Sequence, residues 1–213
     1  MKPKASAARF LNKKSLLVLI ALMFSLQYQL SAQTAFNTRS FNSEVKVLGT
    51  SNLHDWTMKG TGLTCEAQFT VSTGSLLQLL TLNGLTFNMP VANLKSDESL
   101  LNTRAYKAMN AEKHKNITFK MSSAVISPQS TNQYVVKASG QLTISGVTRD
   151  VTLQATLQIQ QDRTVVVTGS QKIKMSEFGI TPPSFMFGAL KTGDNITINF
   201  NLKFSDQKLI ASN

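Results

Sequence analysis

ITINFNLKF, residues 196–204, alternates without a break: Ile196, Ile198, Phe200, Leu202 and Phe204 on one side, Thr197, Asn199, Asn201 and Lys203 on the other. Successive strand side chains point to opposite faces, so the run reads as a strand with one apolar and one polar face. VTLQATLQI, residues 151–159, repeats the pattern with Val151, Leu153, Ala155, Leu157 and Ile159 on the apolar side. Such half-buried strands belong to antiparallel sheets. Turn signals separate the runs at Asn83-Gly84, Ser145-Gly146, Gln161-Asp162 and Thr192-Gly193-Asp194. Residues 140–153 read as a hairpin, with one strand rising to Ile144, a turn at Ser145-Gly146, and the next strand descending from Val151.

One segment departs from the period of two. In SDESLLNTRAYKAMN, residues 96–110, Leu100, Leu101, Arg104, Ala105, Ala108 and Met109 fall at helical spacing. This predicts one short α-helix over about 97–110, with Ser96 or Asp97 as N-cap and acids in the first turn. A sandwich or a barrel would both satisfy the strand pattern. One helix cannot cover the apolar faces of so many strands, so closure into a barrel is the simpler solution. The expected fold is therefore all-β: a single antiparallel barrel with one helix. An eight-stranded barrel with an apolar interior either fills it with side chains or holds one elongated ligand.

The first residues read as a leader rather than fold. Lys2, Lys4, Arg9, Lys13 and Lys14 precede an apolar run, residues 15–26 (SLLVLIALMFSL), too short to cross a bilayer comfortably. Ser31-Ala32-Gln33 suits signal peptidase, so residues 1–32 are expected to be a cleaved signal peptide and 33–213 the folded domain. No cysteine stands at the cleavage point, which argues against a lipoprotein anchor. The chain carries 22 basic and 11 acidic residues; five basic ones leave with the leader, so the remainder has 17 against 11, a charge of +6. These charges are scattered and form no basic stripe interleaved with aromatics, so no nucleic-acid partner is expected. Transient contact with an anionic membrane surface stays open.

Cys65 is the only cysteine, so no intrachain disulfide can form and the core must hold the domain together. It lies in the alternating run 63–69 and reads as a small buried hydrophobe. His54 and Asp55 are adjacent in SNLHDWTMKG, residues 51–60. In a strand they would face opposite sides, His54 with Trp56 and Met58, Asp55 with Thr57 and Lys59, so they do not make an acid/base dyad. The other histidine, His114, sits in the loop-like EKHKN, and no ligand spacing suggests a metal. Trp56 could be core or the floor of a cavity. Gly60 and Gly62 suggest bends that let a long strand over about 53–71 coil around a barrel. No nucleophile elbow, P-loop or dinucleotide turn is present. Asn116-Ile-Thr and Asn195-Ile-Thr match a glycosylation sequon that carries no weight in a bacterial host.

Five short pieces, in this order and spacing over residues 36–205, resemble the YceI-like family. They are residues 51–56 (SNLHDW), 89–96 (MPVANLKS), 113–119 (KHKNITF), 140–151 (GQLTISGVTRDV) and 173–180 (IKMSEFGI). The resemblance implies a lipocalin-like eight-stranded antiparallel barrel exported to the bacterial periplasm or beyond. It implies binding of a long apolar amphiphile (a polyisoprenoid, an isoprenoid quinone or a fatty-acid-like lipid) in an elongated tunnel, with no cofactor and no shared catalytic residues. The chain departs from the family in residues 181–188 (TPPSFMFG), an aromatic, proline-rich segment expected at the tunnel mouth, and in its HDW.

If a tunnel exists, the inward faces of the clearest strands should line it. From the earlier strands these are Phe69, Phe87, Met89, Phe119, Leu142 and Ile144. Leu153, Leu157, Val165, Val167, Phe200 and Leu202 come from the later ones. Trp56, Leu101, Met109, Phe178, Phe185 and Phe187 are candidates near the ends, with His54 as a headgroup contact. Two other readings remain: a protein-binding or stress-related module with a filled core and an exposed 185–187 patch, or an enzyme acting on a lipid through His54.

Overall fold

The computed structural model describes residues 33–72, 78–162 and 164–205. The expected leader, residues 1–32, lies outside them. Eleven strands form one antiparallel sheet: β1 (Gln33–Ser51), β2 (Trp56–Gly60), β3 (Thr64–Ser72), β4 (Leu79–Pro90), β5 (Leu94–Lys95), β6 (Asn116–Ser130), β7 (Gln133–Ile144), β8 (Val147–Ile159), β9 (Val165–Lys174), β10 (Ser184–Phe185) and β11 (Leu190–Phe204). The helix α1 (Ser99–Ala108) lies between β5 and β6. The neighbours run β11-β9-β8-β7-β6-β4-β3-β1, and β1 pairs again with β11. Eight strands thus close a ring, as expected of a lipocalin-like barrel.

The three additional strands have a simple origin. β2 and β3 both pair with β1 in one register, Gly49 opposite Trp56 and Arg39 opposite Glu66. They are one long strand, interrupted at residues 61–63 where Gly62 takes a φ of 60°. There the Cys65 amide donates to Ser40 Oγ (3.0 Å) and the Thr61 amide to the Asn93 carbonyl (3.3 Å), so the break leaves few polar groups unpaired. β4 and β5 are likewise one run split by a 3₁₀ turn, Val91–Asn93. β10 is a two-residue partner of the start of β11.

Period-two burial decides which face is inside. In β7, Tyr134, Val136, Ala138, Gly140, Leu142 and Ile144 are buried while Lys137 and Gln141 are exposed. One end of the barrel carries the β6–β7 and β8–β9 connections. It is filled by Phe69 and Phe204, edge-to-face with centroids 5.6 Å apart, and by Tyr134, whose hydroxyl accepts from the Leu79 amide at 3.0 Å. Each such aromatic contributes roughly 1.5–3 kcal/mol through burial. The opposite end gathers the β1–β2 turn, α1, the β7–β8 turn and the 175–190 segment.

Several sequence expectations need correction. Asn83-Gly84 is not a turn but lies inside β4, where the register against β3 slips between Gln68 and Phe69; Asn83 Nδ2 donates to Thr70 Oγ1 (3.0 Å). Thr192-Gly193-Asp194 lies inside β11, at a register shift against β1. Both are bulges, which share turn-forming residues because both depart from the regular ladder. Ser145-Gly146 does turn, with φ of 51° and 77°, and the paired positive angles are those of a tight hairpin. The following strand begins at Val147 rather than Val151. Residues 52–55, holding His54 and Asp55, form the β1–β2 connection instead of a strand. The helix is shorter than 97–110, and no acidic side chain lies in its first turn. The N-cap position falls on Glu98 rather than on Ser96 or Asp97, and its side chain makes no cap hydrogen bond; Asn102 instead ties back to Ser96, accepting from its amide (2.7 Å) and donating to its carbonyl (3.0 Å).

Candidate ligand-binding cavity

A cavity of about 300 Å³ occupies the barrel from near Phe69 to the end that carries α1. This is the lower end of the range for small-molecule sites, roughly 300–1,000 Å³. Its wall is the inward face of the strands: Val45 and Val47 from β1, Met58 from β2, Cys65 from β3, Phe87 and Met89 from β4. The later strands add Val136, Leu142, Leu153, Val167, Ile198 and Phe200, among others. Gln171 is a polar residue of β9 that borders it, on the same face as Val167 and Ile173.

Two glycines shape the lumen. A Cβ at Gly49 would fall within the Trp56 ring directly across the strand pair, and a Cβ at Gly169 would collide with the opposed Phe200 ring. The rings can lie close to the wall only because nothing projects beneath them. Large aromatics that would otherwise plug the interior are thereby laid flat, with the Trp56 indole N–H donating to the Thr50 carbonyl at 3.1 Å.

Of the residues expected from the sequence, Trp56, Phe69, Phe87, Met89, Leu101 and Met109 border the cavity. So do Phe119, Leu142, Ile144, Leu153 and Leu157, and also Val167, Phe178, Phe185, Phe200 and Leu202. Two do not. Val165 is buried beyond the floor, at the end sealed by Phe204. Phe187, expected at the mouth of the tunnel, stands fully exposed in a tight turn with a φ of 53°. Sequence reading passed over Val45, Val47, Ile196 and Ile198, although their alternation with Lys46 and Thr197 was visible. It also passed over Arg104, which the helical spacing had placed on the same side as Leu101 and Ala105.

The mouth is built by contacts between distant segments. Asn52, in the β1–β2 turn, donates from Nδ2 to the Ala189 carbonyl (2.6 Å) and accepts at Oδ1 from the Lys191 amide (2.9 Å). Its own amide donates to the Lys191 carbonyl (3.1 Å). The Arg104 guanidinium lies 3.6 Å over the Phe185 ring, joining α1 to the same segment. Such a pair contributes about 0.5–1 kcal/mol at an exposed site. The Tyr106 hydroxyl sits within donating distance of the Ala92 (3.1 Å) and Leu94 (2.9 Å) carbonyls and seats the helix. His54 borders the opening and is exposed. Its Nδ1 is 2.8 Å from the main-chain carbonyl of Asp55, so its imidazole is engaged by the backbone of its neighbour rather than by the carboxylate.

Chemically the cavity is a hydrocarbon environment. Burial, and secondarily the neighbouring Glu66, push the Cys65 thiol up from 9.0 to about 12. The thiol stays protonated and acts as an apolar wall element. Among the described residues no three His, Cys, Asp or Glu side chains form a group that could hold a metal.

The sequence profile of the YceI-like domain matches residues 28–204. No curated protein matches. Solved structures share the fold, among them two bacterial proteins. BcnA of Burkholderia cenocepacia is 20% identical with a TM-score of 0.59, the match covering 76% of this chain and 95% of that one. A polyisoprenoid binding domain from Saccharophagus degradans, implicated in plant cell wall breakdown, is 11% identical with a TM-score of 0.57, covering 81% and 99%.

Proposed function

The chain belongs to the YceI-like family, and on that premise we propose that it is a binding protein that holds one long apolar amphiphile in the barrel, with the polar head at the α1 end. The observation that carries this reading is the cavity itself, walled almost wholly by apolar side chains and opening where the polar residues Ser51, His54, Arg104, Lys191 and Thr192 stand. Each methylene moved from water into such a wall contributes about 0.8 kcal/mol, so a chain of some ten carbons binds tightly with few polar contacts. The Saccharophagus degradans relative is described as binding polyisoprenoids, and we extend that ligand class, with isoprenoid quinones, to this chain. The basic head and apolar run of residues 1–32 support export through a cleaved leader, which N-terminal sequencing of the mature protein would test.

The decisive experiment is native mass spectrometry of the purified protein followed by organic extraction. A long-chain amphiphile should be released, and added isoprenoid quinone should load the emptied protein at one equivalent. A protein that is empty as purified and takes up no quinone would sink the proposal.

A further inference from the structure

Among the described residues seven large hydrophobic side chains are exposed, and four of them lie at the α1 end: Leu53 (67% exposed) and Leu100 (57%) on the cavity lining, and Met186 (71%) and Phe187 directly after the lining residue Phe185. They stand on three segments that are fastened together. Leu53 follows Asn52, which is hydrogen-bonded to Ala189 and Lys191; Leu100 lies one helical turn before Arg104, which stacks on Phe185. The tip itself is strained. Met186 and Phe187 both take left-handed backbone angles, φ 52° and 53°, followed by Gly188 at 88°. Bulky residues avoid that region, yet here it turns two large apolar side chains outward. The turn is held by the Gly188 amide donating to the Phe185 carbonyl and the Ala189 amide to the Met186 carbonyl, both 3.1 Å.

Strain that exposes apolar groups, on the rim of an apolar cavity, calls for an apolar phase outside the protein. We propose that this rim docks on a phospholipid bilayer, Met186 and Phe187 entering the interface, so that the cavity opens directly onto the lipid. Arg104 and Lys191 border the opening and are placed to meet lipid phosphates, with Glu98 in the lining and Asp55 and Asp97 exposed beside it. The arrangement rests on the reading of the cavity as a lipid site. It also explains why that site faces this end: a ligand leaving a bilayer through such a rim never crosses water.

The test is sedimentation of the purified protein with vesicles of phosphatidylethanolamine and phosphatidylglycerol. Wild type should pellet with the vesicles, and a Met186→Asn/Phe187→Asn double variant should bind at least about tenfold more weakly, two large apolar contacts being lost. Asparagine tolerates the left-handed backbone, so the variant should fold at least as well. Neither side chain borders the cavity, so its ligand content by native mass spectrometry should not change. A Phe187→Trp probe in a Trp56→Phe background should be quenched by brominated lipid. Wild type left in the supernatant, equal binding by the double variant, or an unquenched probe would each overturn the proposal. So would a tip-dependent dimer or protein complex without vesicle binding. Tip-dependent vesicle binding by a protein that never carries or takes up an amphiphile would remove the carrier reading and leave the docking surface standing.

Discussion

At Gly49 one hydrogen decides how the Trp56 indole lies, because the ring occupies the space a methyl would need. Gly49→Ala should therefore destabilise the protein by about 1–3 kcal/mol, the usual cost of overpacking. Denaturant unfolding followed by Trp56 fluorescence reads both the loss and the displaced ring. Cys65 makes a second residue-scale prediction. Its folded thiol titrates near 12 and its unfolded thiol near 9.0. Above pH 9 the unfolded chain releases a proton that the folded one keeps, so this contribution is complete below pH 9 and is lost as pH rises toward 12. Denaturation midpoints of wild type should fall across that window more than those of Cys65→Ala, and a maleimide should label Cys65 only after unfolding.

Among the elements, α1, which buries no side chain fully, and the 3₁₀ turn Met175–Phe178, which buries Met175 and Phe178, each offer a handle. Arg104→Gln removes the stacking on Phe185. Losing about 0.5–1 kcal/mol of closure should speed ligand exchange by roughly two- to five-fold in stopped-flow displacement, with little change in melting temperature. Asp194 accepts from the Ser176 hydroxyl (2.6 Å) and amide (2.8 Å), and these bonds hold its carboxyl below the ordinary 3.8. Its stabilising effect is present above pH 3.8 and lost as pH falls below it. Asp194→Asn should lower the melting temperature at neutral pH, and the gap to wild type should close under acid. The strands and their inward faces were legible in the sequence because burial on one side enforces a period of two, which is why Leu142, Leu153 and Phe200 could be placed on the wall. The bulges at Asn83 and Gly193 were not, since glycine beside asparagine or aspartate marks any departure from the ladder. Nor was the exposure of Phe187: composition cannot distinguish an aromatic turned into a mouth from one turned away by a left-handed backbone.

For the whole molecule, an open lumen is the property that separates a carrier from a filled barrel. Ala138 sits mid-wall opposite Leu153, inside the cavity. Ala138→Phe should reduce ligand loading, measured by native mass spectrometry, in proportion to the volume it occupies. Circular dichroism should retain the β-sheet signature.

The ring is completed by its first and last strands, Val45 meeting Phe200 and Val47 meeting Ile198. Until Leu190–Phe204 is available, β1 lacks that partner and the barrel has an open seam. Long-range pairing of this kind places folding in the millisecond-to-second range. The chain therefore has a built-in delay: a polypeptide emerging N-terminus first keeps an unzipped edge throughout its synthesis, and becomes a closed container only when its tail arrives.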